Sequence, residues 1–173
     1  MGLFSWINEV LNPKKIQMNH PYFGRLEFTT GKNIHDETYG FWSGELITPL
    51  SEYPLGITID VGPEGPNDEH RARYETLIDK FPNLSAAISE ILFQEWIETR
   101  KAIREYGDRI DEGNEFNKPE AMADVFKLVS INLSNHGGYE LSYIFRNQSI
   151  WPDLQLYLSV ESNWEVTLSG GAD

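Results

Sequence analysis

Three carboxylates stand on three strand-like segments, one each: Glu27 in "GRLEF", Glu45 in "WSGELI" and Asp60 in "ITIDV". Two acids held at a set separation in a cleft perform the general acid and base work of a glycosidase. A hydrolytic enzyme using dispersed carboxylates is therefore one reading of this chain. The plainer reading is that each acid belongs to the wet face of a strand. The stretch 19–28, "NHPYFGRLEF", raises the same question, because His20, Tyr22, Arg25 and Glu27 lie close together in it. Pro21 biases His20 toward an extended conformation and suits the first residue of a strand. Leu26 and Phe28 then alternate with Arg25 and Glu27. The stretch reads as the first strand of a sheet, not as a site.

Other chemistries fail on spacing. His20, His35, His70 and His136 lie far apart, and none belongs to an HxH or HExxH pair. Ligands on one helix need to sit three or four residues apart, so no metal site is expected. The loop from Asp108 places Gly113 sixth, as a calcium loop would. Its third residue is Ile110, however, and its twelfth is Pro119, where a bidentate glutamate is needed. In "GFWSG", Ser43 falls one place too late for a nucleophile elbow. The chain has no cysteine, which excludes thiol catalysis, disulfides and thiolate zinc sites. Neither GxGxxG nor GxxxxGK[ST] occurs, so nothing points to a dinucleotide or P-loop cofactor. No catalytic residue and no cofactor are expected.

Charge points instead toward binding. Twenty-seven acids face fourteen bases, for a formal charge of −13. Phosphate backbones are repelled by such a surface, so nucleic acid is not the expected partner. A basic protein is attracted by it. The polar loop 107–118 concentrates this charge at Asp108, Asp111, Glu112 and Glu115, the candidate partner-binding residues. No apolar run reaches the ~20 residues of a membrane span. The N-terminus lacks the basic region of a secretory signal, and absence of cysteine fits a reducing compartment. The expected location is cytoplasmic; the oligomeric state stays open.

The elements that would hold these residues follow from periodicity. Residues 3–11, "LFSWINEVL", form a short amphipathic helix stopped by Pro13, with Leu3, Phe4, Ile7, Val10 and Leu11 on one side. Its polar side lacks the Lys and Arg typical of membrane-surface helices. Docking on the core or on a partner is the plainer reading, and a peripheral membrane or scaffold protein held through this helix is the alternative. Strands are expected near 19–28, 39–47 and 55–61; in the second, either both faces are covered or Gly40 and Gly44 mark a bulge. Asn67 or Asp68 caps a helix with Tyr74, Leu77, Ile78 and Phe81 on its buried stripe. Pro82 ends it, and Asn83 caps a second helix that runs to Gly107. That second helix carries Leu84, Ile88, Ile91 and Leu92 on one face, with Phe93 and Ile97 as a second apolar stripe. A helical turn, "PEAMADV", precedes four more strands. In 126–133 the apolar face shifts from Phe126 and Leu128 to Val129, Ile131 and Leu133, which predicts a bulge or burial on both faces. "NHGG" at 135–138 is a hairpin turn, and Asn163 marks another before Trp164, Val166 and Leu168.

The expected fold is α+β: an antiparallel sheet of about seven strands (three, then two helices, then four), with helices on one face. Residues 1–16 form the N-terminal helix and residues 17–173 a single domain. The segments "HPYFGRLEF", "YGFWSGEL", "LGITIDV" and "WEVTLSG" resemble a group of small bacterial proteins built on a domain of unknown function. Some of that group resemble toxin-immunity or accessory proteins. The resemblance implies a non-catalytic interaction module, an immunity-like inhibitor of a basic partner, and brings no catalytic residue with it.

Overall fold

The computed structural model describes residues 16–32, 38–105, 116–146 and 155–172. The amphipathic helix expected at 3–11 lies outside them. The chain is α+β, with one mixed sheet of eight strands in sequential order. These are β1 (Ile16–His20), β2 (Gly24–Lys32), β3 (Thr38–Leu46) and β4 (Leu55–Ile59), then β5 (Phe126–Leu133), β6 (Tyr139–Phe145), β7 (Gln155–Val160) and β8 (Val166–Ala172). Between the two sets lie a long helix α1 (Asp68–Glu105), a 3-10 turn (Pro119–Ala121) and a short helix α2 (Met122–Val125). Among the described residues the strand count is thus eight, where about seven were expected.

All neighbours pair antiparallel except β4 and β5, which are parallel. The expectation of a wholly antiparallel sheet fails there for a topological reason. Antiparallel neighbours can be joined by a tight turn, whereas α1 carries the chain back over the sheet, and such a crossover lays down a parallel strand.

The extra strand comes from the stretch 19–28, which is a hairpin and not one strand. β1 ends at His20, residues 21–23 turn, and β2 starts at Gly24 with φ +72. His20 Nδ1 accepts hydrogen bonds from the backbone N–H of Tyr22 and of Phe23, both at 3.2 Å. An imidazole thus does the work that Asn-Gly does in a common hairpin. Tyr22 and Phe23 then meet Tyr74 of α1, each with ring centroids 6.0 Å away.

One helix stands where two were expected, because α1 runs through Pro82. Proline removes the hydrogen bond to the Ile78 carbonyl and costs about 3 kcal/mol in a helix interior. The buried stripe continues on both sides of it: Tyr74 and Leu77 before, Leu84, Ile88, Leu92 and Trp96 after. Each large side chain contributes about 1.5–3 kcal/mol by burial, so six of them outweigh the proline. Pro82 itself is exposed. The second apolar stripe holds only in part: Phe93 is half-buried and packs against the core, but Ile97 is 41% exposed, while its neighbour Trp96 is buried, stacks on Phe145 at 5.4 Å and donates to the Phe116 carbonyl at 3.1 Å.

α1 lies on one face of the sheet. A transverse row of residues on that face crosses all eight strands in register: Met18, Leu26, Gly44, Ile57, Ile131, Leu141, Leu158 and Leu168. Five of its inner members, Leu26, Ile57, Ile131, Leu141 and Leu158, are buried. The bulge in β5 is present, as a register break between Leu128 and Ser130. β3 has none. Gly40 and Gly44 are sites of close approach: a Cβ on Gly40 would meet the Phe28 ring, and one on Gly44 would meet the Arg25 carbonyl oxygen at 2.5 Å. Trp164 lies before β8 rather than in it, with φ 68, and stacks on Tyr139 at 5.7 Å.

Arg73 ties the start of α1 to the β5–β6 hairpin. Its Nη2 donates to the carbonyls of Ser134 at 2.8 Å and Gly138 at 3.0 Å, and its guanidinium lies 5.6 Å from the Tyr139 ring centre. The Tyr139 hydroxyl donates back to the Arg73 carbonyl at 3.0 Å. Among the described residues, no helix is long and apolar enough to cross a membrane.

Candidate functional site

A parallel strand pair followed by a helix suggests a site at the carboxyl ends of those strands, where open α/β sheets bind ligands. Here that end is filled. The Asp60 N–H continues the ladder to the Leu133 carbonyl at 3.1 Å, and Trp42 Nε1 donates to the Gly62 carbonyl at 2.9 Å. Gly65 packs against Met18 and Trp42. The N-terminus of α1 is no anion site either. Asn67 Oδ1 caps it by accepting from the N–H of Glu69 at 3.0 Å and of His70 at 3.3 Å. Asp68 and Glu69 place negative charge in the first turn, where it complements the helix dipole and repels an anion.

The other side of the sheet is different. One residue along from the buried row lies a second row, also continuous in register across all eight strands: Gln17, Glu27, Ser43, Thr58, Asn132, Glu140, Ser159 and Thr167. Every member is polar. None is fully buried; Gln17 and Thr167 are exposed and the rest are half-buried. Strand side chains alternate between faces, so Glu45 and Asp60 share this open face.

Glu45 and Asp60 do not converge. Glu45 pairs with Gly56, four residues before Asp60, which is about 13 Å along a strand. That exceeds the ~5–9.5 Å between the two carboxyl groups of a glycosidase. Glu27 lies on β2 opposite Ser43, on the other side of β3 from Asp60, and is the diagonal neighbour of Glu45 at about 7–8 Å by strand geometry. Asp60 is the perturbed one. Burial pushes its carboxyl upward, while a hydrogen bond from the Asn132 side chain, then His136, Asn135 and Arg73, draw it back. Asn132 Oδ1 is buried without a partner. Ser43 is a sheet residue whose hydroxyl donates to the Glu27 carbonyl at 3.4 Å.

Sequence reasoning missed one proximity: His70 and His20 come within electrostatic reach of each other. Burial first, then Arg73, lowers His70, against the pull of Glu69 and Glu64. The turn at 21–23 brings these imidazoles near, and no spacing rule reveals that turn. Among the described residues, no three metal-ligating side chains gather. His136 sits in the β5–β6 hairpin, and His35 lies outside the described residues, as do Asp108, Asp111, Glu112 and Glu115.

Cations are largely turned to local partners. Arg73 is spent on carbonyls, Arg146 Nε donates to the Ala123 carbonyl at 2.9 Å, and Arg71 pairs with Glu75 at 2.9 Å. The Lys127 ammonium lies 4.1 Å from the Tyr53 ring centre. Comparison with family models, with curated proteins and with solved structures finds no match to this chain.

Proposed function

We propose that the protein is a non-catalytic interaction module that takes up a basic protein partner, in the manner of an immunity-like inhibitor. The observation that carries this reading is the open sheet face. It offers an unbroken polar row with Glu27 and Glu140 in it and Glu45 and Asp60 beside it. The molecule behind it has a formal charge of −13. Such a surface steers a cationic partner and fixes its register through hydroxyl and carboxylate acceptors. Asp108, Asp111, Glu112 and Glu115, which lie outside the described residues, add to the negative charge and are proposed as further contacts.

The test is capture from the native cell, with products of neighbouring genes included, by two proteins side by side. One is the natural chain. The other carries Glu45→Lys and Glu140→Lys, with equal folding verified by circular dichroism. A third arm reverses Asp108, Asp111, Glu112 and Glu115. The expected result is a basic partner held by the natural chain and lost by the reversed forms. Its association rate should fall about tenfold or more as salt rises, as steered encounters do. A captured partner whose rate ignores salt, or that binds all three proteins equally, would sink the reading.

A further inference from the structure

On the helix-bearing side, a cleft of about 280 Å³ opens between the β3–β4 connection, the middle of α1, α2 and the start of β5. Its apolar lining includes Phe81, Ile88, Leu92, Met122, Phe126 and Leu128, and Ser51, Ser85 and Ser89 line it as well. Tyr143 and Lys127 from β6 and β5, and Arg146 just beyond β6, bring further polar groups to it. Tyr143, on β6, lines the cleft while only 6% exposed. Burial pushes its phenol strongly upward, and no hydrogen bond or charge offsets this. A buried phenol ordinarily finds a partner; here the space beside it is the cleft. Arg146, three residues further on and exposed, lines the same cleft, as does Lys127.

The charge at this site runs against the whole molecule. Lys127 and Arg146 contribute two positive charges and Glu52 one negative, so the lining is net positive in a chain of charge −13. Arg146 uses Nε on the Ala123 carbonyl, which fixes the guanidinium plane; its terminal nitrogens have the geometry that carboxylates fit. The volume is just below the range of pockets for drug-sized ligands, so the occupant is about one ring in size. Tyr143 is buried and Arg146 exposed on the same lining, which suits a ring with a polar atom at its inner end and a short acidic arm at its outer end.

We propose that this cleft binds a small aromatic monocarboxylate whose ring carries a polar atom at the end opposite the acid. The acid meets Arg146 and Lys127. The ring lies among Phe81, Ile88, Leu92 and Phe126, and the far polar atom accepts the Tyr143 hydroxyl. This site is on the opposite side of the sheet from the proposed partner surface, and neither depends on the other.

The experiment titrates the full chain with three probes, followed by calorimetry and by amide shifts of Ser85, Ile88 and Ser89. The probes are 4-hydroxyphenylacetate, phenylacetate and 4-hydroxyphenethylamine. The first should bind with a Kd of about 1 mM or tighter, given ordinary efficiency for so small a ligand. The second should bind several-fold more weakly, and the amine should not saturate. Tyr143→Phe should erase the difference between the two acids without abolishing either. Arg146→Gln combined with Lys127→Gln should weaken both acids at least tenfold, and Glu52→Gln should leave them unchanged or tighter. If the double variant does not fold, the acid-against-amine comparison on the natural chain still decides. Equal binding of the amine, no saturable binding of either acid, or a folded double variant with undiminished affinity would each overturn the proposal.

Discussion

Two rows of residues cross the same eight strands one position apart, and they obey different rules. The row through Leu26, Ile57, Ile131, Leu141 and Leu158 packs beneath α1, so its members are chosen for volume. The row through Glu27, Thr58, Asn132, Glu140 and Ser159 has no helix on it among the described residues, so its members are chosen for polarity alone. A one-residue step changes the constraint because side chains alternate strictly between faces. The fold rests on the first row, and the second is the surface on which the proposed interaction depends.

The sharpest way to break that contrast is to truncate neighbours. Leu141 is fully buried, and Leu141→Ala should cost about 2–5 kcal/mol of unfolding free energy. Glu140, one residue away, should change stability by less than about 0.5 kcal/mol when replaced by alanine. Denaturant titration of both variants gives the comparison. Losses of similar size would mean that the polar row is also packed under something, and the interaction reading would lose its surface.

Glycine gives a second, smaller contrast. Gly44 belongs to the apolar row and approaches β2 so closely that a Cβ would lie 2.5 Å from the Arg25 oxygen and 2.8 Å from Leu26 Cδ2. Backbone cannot retreat as a side-chain tip can, so Gly44→Ala should cost about 1–3 kcal/mol. Gly170 pairs with Tyr157 on the open face, and a Cβ there meets nothing within 4 Å. Gly170→Ala should be neutral or stabilise by up to about 1 kcal/mol through the unfolded chain. Thermal melts of the two variants check the sign. A penalty at both positions would show that the open face is as tight as the covered one.

Much of the covered face was legible in the sequence. Leu55, Ile57 and Ile59 alternate and are all buried, as are Tyr139, Leu141, Tyr143 and Phe145. The slipped phase between Leu128 and Ile131 announced the β5 bulge, because an extra residue is what restores the apolar face. The Asn67 cap was legible for the same local reason. What escaped was non-local or idiosyncratic. β1 hides behind a turn closed by the His20 ring rather than by a turn dipeptide. Pro82 reads as a stop, because the burial that overrides it belongs to the tertiary structure. The parallel β4–β5 contact is fixed by where α1 delivers the chain. The tyrosine-floored cleft is likewise assembled from four separate segments, and no spacing rule joins them.

The smallest effect concerns the one strand acid whose ionisation the fold disturbs. Asp60 has its carboxyl raised, chiefly by burial. The folded protein therefore binds this proton more tightly than the unfolded chain, whose value is about 3.9. Its contribution to stability is full below that value and is lost as pH rises through the raised folded value. Asp60→Asn keeps the shape and the capacity to bond Asn132 but cannot ionise. The variant should melt higher than the natural chain at pH 7, by on the order of 2 °C, and the gap should close near pH 3. The attraction of His136 and Arg73 works against this but ranks below burial, so the sign holds. A variant that melts lower at pH 7 would reverse the ranking. The carboxylate would then be a charge that the β5–β6 hairpin and Arg73 depend on, and the line between a packed row and a free one would fail at Asp60 first.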